Sequence, residues 1–312
     1  MSTTILQPGQ IEAAASEIPV LRLPERGLFA GRARRLRGLA PGHSLADFLN
    51  FAAALADRQE AAWRALAPEA LPSGELLARC RDAAMPPLAP PAWWPGPEWR
   101  GLARSLASDL TGAVPAGSGP DRLAGATDDW LEIQARALLG ADGPALDLAA
   151  APFIGAALQV HWTALAAHLQ PRDIGPSAQQ AHCPVCGSPP VASVLRIGGA
   201  EGGLRYLHCG LCASEWHVVR AKCSLCDNSR GITYLSLEGP DGKPRRGVEA
   251  ETCPECRGYL KLCRMDQDPE VDPWADDIAT LALDLLVDQE GYERAALNFL
   301  LLQGLPLQTP AV

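Results

Sequence analysis

The sequence predicts an α+β protein: a mostly helical N-terminal domain, two tandem rubredoxin-like or zinc-ribbon-like β modules, and a C-terminal helical segment. Three observations predict this class. The first 170 residues consist of alanine-rich stretches with apolar residues at helical spacing. Residues 182–264 carry four Cys-x-x-Cys pairs among short β-type runs and Gly-rich turns. A helical pattern then returns at Trp274–Gln289. We therefore place the domains at residues 1–170, 171–222, 223–265 and 266–312.

The N-terminal domain is predicted to be a stack of helices. Its clearest helix runs from Leu45 to about Leu66, with Ser44 as the N-cap, because its apolar residues recur three and four positions apart. Further helices are predicted at Pro24–Ala40, Gly74–Ala84, Glu98–Thr111, Asp121–Leu139 and Phe153–Leu169. The residues from Leu148 to Gln170 carry no charge, but they include polar residues and a proline, so we predict a buried helix rather than a membrane span.

The cysteine-rich region is predicted to form short strands separated by turns. The candidate strands are Val191–Ile197, Leu204–His208, Ser214–Arg220, Ile232–Leu237 and Tyr259–Leu262. After them, helices are predicted at Trp274–Gln289 and Tyr292–Leu302. We expect Asp276 and Asp277, at the start of the first of these, to interact with the helix dipole.

Eight of the ten cysteines form the four Cys-x-x-Cys pairs. A two-residue spacer lets a tight turn direct both sulfurs at one ion, while backbone N–H groups donate to the thiolates. Two pairs supply the four ligands of a tetrahedral site, so the chain is predicted to hold two metal ions. The predicted ligands are Cys183, Cys186, Cys209, Cys212, Cys223, Cys226, Cys253 and Cys256.

The simplest connectivity joins the first two pairs at one site and the last two at the other. An interleaved cross-brace is the alternative. A single pair would also be compatible with a thioredoxin-like redox motif, but four pairs without a βαβ pattern are better explained as ligands. Iron and zinc both accept four thiolates in a tetrahedron, so the spacing does not choose between them.

The other two cysteines and the nearby histidines are not predicted to be ligands. Cys80 is expected to be a small core residue, and Cys263 follows a strand near the second site. Eight thiolates are already sufficient, so His182, His208 and His217 are expected to lie around the sites rather than in them. Trp216 is expected to pack over a metal-binding turn, and the Trp93/Trp94 pair is expected in the core.

The charge balance weighs against a nucleic-acid partner. The formal net charge is -9 and the pI is about 5.2, whereas phosphate binding needs an excess of basic residues. Residues 183–263 carry 10 basic and 8 acidic side chains. The basic residues of this region are expected to balance thiolate charge, in particular Arg205, Arg220, Lys222 and Lys261.

No catalytic motif is recognisable in the sequence. It has no Gly-rich phosphate loop after a strand and no Gly-x-Ser-x-Gly, and the six histidines are scattered. Four-cysteine sites leave no open coordination position for a substrate. We therefore predict that the protein is not an enzyme. The Met1–Gln10 segment lacks the features of a secretory signal, which predicts a cytoplasmic protein with reduced thiols.

Four segments resemble the formate dehydrogenase accessory protein FdhE family. The most specific runs from Arg205 to Cys226 and includes Cys-Gly-Leu-Cys-Ala-Ser-Glu-Trp. The others are Phe29–Gln59, Cys253–Lys261 and the Asp-Asp segment Ala275–Asp284. Together they extend over nearly the whole chain.

The resemblance implies a cytoplasmic maturation factor for respiratory formate dehydrogenases, with iron in two rubredoxin-like modules and the eight paired cysteines as ligands. It implies that the partner is the catalytic subunit of formate dehydrogenase, bound before export. Zinc is the alternative metal. The sequence does not decide whether the protein forms a homo-oligomer. Two other functions are kept as alternatives: a rubredoxin-like electron carrier in cofactor maturation, and a zinc-ribbon protein that binds nucleic acid.

Overall fold

The computed structural model describes residues 19–66, 71–90, 93–140, 145–176, 180–198, 201–239, 242–296 and 298–302. The segment Met1–Gln10 lies outside this part of the chain. The predicted α+β class is confirmed, with helices first, a sheet next and short helices near the C-terminus. The domain boundaries stay predictions.

The N-terminal helices pack around one buried helix. They are α1 (Leu28–Leu39), α2 (Ala46–Ala65), α3 (Gly74–Asp82), α4 (Glu98–Asp109), α5 (Gly119–Ala124), α6 (Asp128–Leu138) and α7 (Ala151–Ala166). Short 3-10 turns lie at Thr111–Ala113 and Pro171–Asp173. Every residue of α7 except Pro152 is buried, and α2, α4, α5 and α6 pack against it. The buried helix predicted within Leu148–Gln170 is thus confirmed, and no helix in the described ranges has the length and apolarity to span a bilayer.

Two helix predictions were wrong in detail. Leu45, not Ser44, is the N-cap of α2, and it makes no side-chain capping bond. The single helix predicted at Asp121–Leu139 is two helices, α5 and α6. The Thr127 hydroxyl accepts the Trp130 backbone N–H at 3.2 Å, and two aspartates follow in the first turn. A hydroxyl cap with acidic residues behind it starts a new helix, so the chain turns there.

The strands of the described residues form one sheet. They are β1 (Leu21–Arg22), β2 (Pro190–Leu195), β3 (Arg205–Cys209), β4 (Glu215–Val218), β5 (Thr233–Leu235), β6 (Val248–Thr252), β7 (Gly258–Arg264) and β8 (Glu293–Arg294). The order is β1-β4-β3-β2-β7-β6-β5, and β8 also pairs with β7. The antiparallel strands β2–β4 carry the first two cysteine pairs, and β5–β7 lie beside the last two. Parallel pairing of Ser193–Leu195 with Leu262–Arg264 joins the two modules edge to edge.

The sequence pattern missed three strands. β1 and β8 have two residues each, and β6 (Val-Glu-Ala-Glu-Thr) has two glutamates among its five residues. The helix predicted at Tyr292–Leu302 is wrong, because β8 and turns occupy its described residues. The helix predicted at Trp274–Gln289 is divided at Thr280 into α8 (Ala275–Ala279) and α9 (Leu281–Gln289). The Thr280 hydroxyl donates back to the Asp276 carbonyl at 2.7 Å.

The main hydrophobic core joins the helices to the sheet. Leu158 and Trp162 of α7 belong to the same buried cluster as Val191 and Leu207 of the sheet. The Trp162 indole N–H donates to the Leu88 carbonyl at 3.0 Å, and Trp93 and Trp94 pack edge-on against its ring. The first four-cysteine group lies within this shared core.

Candidate metal centres

The eight paired cysteines form two groups in sequential order. Within each group the four sulfurs lie within 4.8 Å of one another. The first group is Cys183, Cys186, Cys209 and Cys212; the second is Cys223, Cys226, Cys253 and Cys256. The interleaved alternative is wrong, because each group contains two neighbouring pairs.

Each pair lies in the same kind of turn. The residue after the second cysteine has a positive φ in all four: 76° at Gly187, 59° at Ala213, 61° at Asp227 and 55° at Arg257. The backbone N–H of the first cysteine donates to the carbonyl five residues later, as from Cys183 to Ser188 at 2.9 Å. This turn points both sulfurs to one side. Glycine adopts a left-handed backbone most readily, so the sequence predicts this conformation only at Gly187. The corresponding residues of the other three turns are not glycine.

The sulfur positions suit a tetrahedral ion. Metal–sulfur bonds of about 2.3 Å at the tetrahedral angle place sulfurs about 3.8 Å apart. In the first group, Cys183 Sγ lies 3.6 Å from Cys212 Sγ, and Cys186 Sγ lies 3.4 Å from Cys209 Sγ. The corresponding distances in the second group are 3.9 and 3.6 Å. None of the ten cysteines is in a disulfide. The residues therefore fit a metal ion at both positions.

Backbone N–H groups donate to the sulfurs, as thiolate ligands require. Cys183 Sγ accepts from Val185 at 3.4 Å, and Cys209 Sγ accepts from Leu211 at 3.3 Å. In the second group, Cys223 Sγ accepts from Leu225 at 3.4 Å, and the Asn228 side-chain amide donates to Cys253 Sγ at 3.5 Å.

The protein environment shifts the thiol pKa values in opposite directions within a group. Burial raises the pKa of Cys183 and of Cys209 well above the usual value, and it raises that of Cys223 to about 12. Burial also acts to raise the pKa of Cys253, but hydrogen bonds from the Cys256 backbone and the Asn228 amide lower it to about 6. Four adjacent thiols cannot all ionise without a compensating cation, so a bound divalent ion is what would make all four thiolates stable together.

The remaining cysteines and the histidines lie outside both groups. Cys80 is buried in α3, as expected of a core residue. Cys263 is fully buried on β7, and burial, followed by the charges of Asp276 and Asp277, raises its pKa well above the usual value. It is therefore a neutral thiol inside the core. His208 Nδ1 lies 3.0 Å from Glu215 Oε1, and neither group of the described residues includes a histidine.

Three of the four basic residues expected to balance thiolate charge, Arg205, Lys222 and Lys261, pair with carboxylates instead. The Arg205 guanidinium donates to Glu251 at 2.8 Å between β3 and β6, and both side chains are buried. Lys222 binds Asp227 at 2.8 Å, while Arg220 is exposed. These ion pairs direct the positive charges at carboxylates rather than at the cysteine sulfurs.

Lys261, Asp277 and Asp284 form a buried ionic cluster that the sequence did not reveal. Lys261 Nζ lies 2.5 Å from Asp284 Oδ2 and 3.1 Å from Asp277 Oδ1. Arg294 contacts both carboxylates, and Asn298 donates to Asp277 at 2.8 Å. Asp277 lies in the first turn of α8, where it was predicted, and its carboxylate also belongs to this ionic cluster.

Asp276 also lies in the first turn of α8, as predicted, and it makes a contact that the sequence did not indicate. It accepts two hydrogen bonds from Arg35, the shorter at 2.6 Å, and so ties α1 to α8. Trp216 is buried in the large core cluster that also contains Cys209 and Cys212, and its indole N–H donates to the Gln180 carbonyl at 2.8 Å. Its packing over a metal-binding turn stays a prediction.

Comparisons with known proteins match almost the whole chain. Family models described as FdhE N-terminal, FdhE central domain and FdhE C-terminal domain match residues 18–179, 182–220 and 221–301. A protein FdhE homolog of Pseudomonas aeruginosa is 44% identical, over 97% of this chain and 99% of its own. One from Edwardsiella ictaluri is 41% identical, over 97% and 100%.

Protein FdhE of Salmonella paratyphi B is 39% identical, over 93% of both chains. Among solved structures, the crystal structure of the FdhE protein from Pseudomonas aeruginosa superposes with a TM-score of 0.81 at 39% identity. It covers 92% of this chain and 100% of its own.

Proposed function

The chain belongs to the FdhE family, and we propose that it is an accessory factor required for the activity of formate dehydrogenase. The observation that carries this proposal is the match over nearly the full length, with both four-cysteine groups in place. A non-catalytic role agrees with the chemistry of the groups. A tetrahedral four-thiolate site has no open position at which a substrate could bind.

We further propose that each four-cysteine group holds a metal ion, iron by family resemblance with zinc as the alternative. When bound, the ion supplies the positive charge that four neighbouring thiolates need. The chain contributes the sulfurs and the backbone N–H donors that orient them. In the first group, the cysteine turn that follows β3 is also attached to the helical domain, because the Gln159 side chain of α7 donates to the Gly210 carbonyl at 2.9 Å.

The proposed partner is the catalytic subunit of formate dehydrogenase, bound in the cytoplasm before export. Deleting the gene tests the role directly: formate dehydrogenase activity should fall, and the intact gene should restore it. Unchanged activity in the deletion strain refutes the accessory role.

A pull-down tests the partner. The intact protein should retain the catalytic subunit from a cell extract, and a Cys183→Ser/Cys223→Ser variant should retain less. A Cys80→Ser variant is the matched control, because Cys80 lies outside both groups. Equal retention of the catalytic subunit by all three proteins would mean that partner binding does not depend on the metal centres.

A rubredoxin-like electron carrier is the second candidate function. It is favoured by the exposure of Cys226 and Cys256, which brings one side of the second group to the surface, where a redox partner could approach. Iron-loaded protein should then show a reversible change in its visible absorbance on chemical reduction and reoxidation. Iron-loaded protein without such a change eliminates this function and leaves the accessory role intact.

A further inference from the structure

The two four-cysteine groups differ sharply in their exposure to solvent. In the first, Cys183, Cys186, Cys209 and Cys212 are between 0% and 1% exposed. In the second, Cys223 and Cys253 are buried, but Cys226 and Cys256 are exposed. Sequence spacing does not distinguish the groups, since all four pairs have the same form.

The first group is enclosed by the core that joins the helices to the sheet. Its four cysteines belong to the cluster that contains Trp162 and Leu158. Both turns are attached to the helical domain, one by the Leu88 N–H donating to Val185 at 2.9 Å, the other by Gln159 donating to Gly210 at 2.9 Å. A cavity borders Cys186, but because the four cysteines are at most 1% exposed, an external ligand must displace packed residues before it reaches their sulfurs.

The second group lies outside that core. None of its cysteines belongs to the main core cluster of the described residues. In its second turn, Pro254, Glu255 and Cys256 are exposed in succession, and Arg257 holds the turn by donating to the Glu290 carbonyl at 2.7 Å. Two of the four sulfurs are thus open to solvent without any opening of the fold.

From this asymmetry we infer that the second group is an exchangeable metal site, whereas the first is a permanent cross-link of the fold. The inference rests on the proposed metal binding and deepens it. Exchange is a ligand substitution: an incoming thiolate or chelator forms a bond to the ion at the exposed side, and the bond to Cys226 or Cys256 breaks. The released thiolate takes a proton from water, and no electron is transferred.

The test uses full-length protein loaded with zinc, because zinc does not undergo redox chemistry, and an excess of the coloured chelator 4-(2-pyridylazo)resorcinol. One zinc per chain should leave in a fast phase, and the other at least about tenfold more slowly, because local opening near the surface costs less than separating the core. Trp fluorescence should change only in the slow phase. Two zinc ions released at one rate overturn the inference.

Alkylation of the wild-type protein locates the fast site. Iodoacetamide added at the end of the fast phase should label Cys223, Cys226, Cys253 and Cys256, as read by peptide mass spectrometry, and should leave the first group protected. Early labelling of the first group overturns the inference. A Cys256→Ser variant should lose only the fast phase. Failure of the protein to bind zinc at all instead refutes the proposed metal binding, so the two failures are distinguishable.

Discussion

Lys261 offers a sharp test of the buried ionic cluster, because one of the chain's two other lysines provides a matched control. Its ammonium contacts Asp284 at 2.5 Å and Asp277 at 3.1 Å, and it donates to the carbonyls of Asp277 and Thr280 at 2.8 and 3.1 Å. The side chain is 2% exposed. Lys261→Met keeps most of its length and removes the charge.

Removing one partner of a buried ion pair costs about 3–5 kcal/mol, because the remaining charge stays buried without compensation. Here Arg294 still contacts both carboxylates, so the lower end, about 3 kcal/mol, applies. With an unfolding entropy of about 2.1 cal/mol/K per residue, this lowers the melting temperature of a 312-residue chain by roughly 5 °C. Lys222→Met removes an exposed pair with Asp227 and should cost no more than ~1 kcal/mol.

Urea unfolding of both zinc-loaded variants, followed by Trp fluorescence, measures the two costs. Lys261→Met should keep its zinc, because Lys261 contacts carboxylates and carbonyls rather than sulfurs. Equal loss of stability in the two variants refutes the assigned role of the cluster. So does loss of zinc from folded Lys261→Met protein, which would instead mean that Lys261 balances thiolate charge.

Two further predictions concern packing and pH. Gly155→Ala would place a Cβ 2.7 Å from side-chain carbons of Phe299, so it should destabilise the protein by about 1–3 kcal/mol. Gly101→Ala in α4 is the control, because nothing packs within 4 Å of the Cβ that it adds, and it should stabilise the protein by about 0.5–1 kcal/mol. Thermal melts in which both changes have the same sign contradict this. Burial acts to raise the pKa of Glu215, but the bonds to His208 and Arg196 lower it to about 2, below the usual 4.5. Because the pKa of Glu215 is lower in the folded than in the unfolded protein, its ionised carboxylate stabilises the fold by roughly 3 kcal/mol above about pH 4.5. This stabilisation is lost as pH falls towards 2. The stability difference between wild type and Glu215→Gln should therefore shrink as pH falls below 4.5, and acid release of metal is common to both proteins. A difference that grows between pH 4.5 and 2 contradicts the assignment.

The sequence predicted the parts that depend on local pattern. The helix at Ala46–Ala65 and the strands β2, β3, β4, β5 and β7 follow from apolar periodicity and β-type runs. The cysteine groups follow from spacing, because a two-residue spacer between thiols is uncommon without a shared ligand. The family resemblance followed from the same segments.

What the sequence did not predict depends on contacts between distant residues. β8 exists because Glu293 and Arg294 meet Gly258 and Tyr259, and nothing in the local pattern of a two-residue strand indicates this. The partners of Arg205 and Lys261 are also set by which elements pack together, because Glu251 lies on β6 whereas Asp277 and Asp284 lie on α8 and α9. The difference in exposure between the cysteine groups is likewise a property of the packed layers.

The metal content of the purified protein tests the central claim most directly. Protein prepared without oxygen should contain two metal ions per chain by elemental analysis, and Cys256→Ser protein should contain one, held by the first group. A content far below two, with eight of the ten thiols free to react in the folded protein, would contradict the claim that these groups are metal centres.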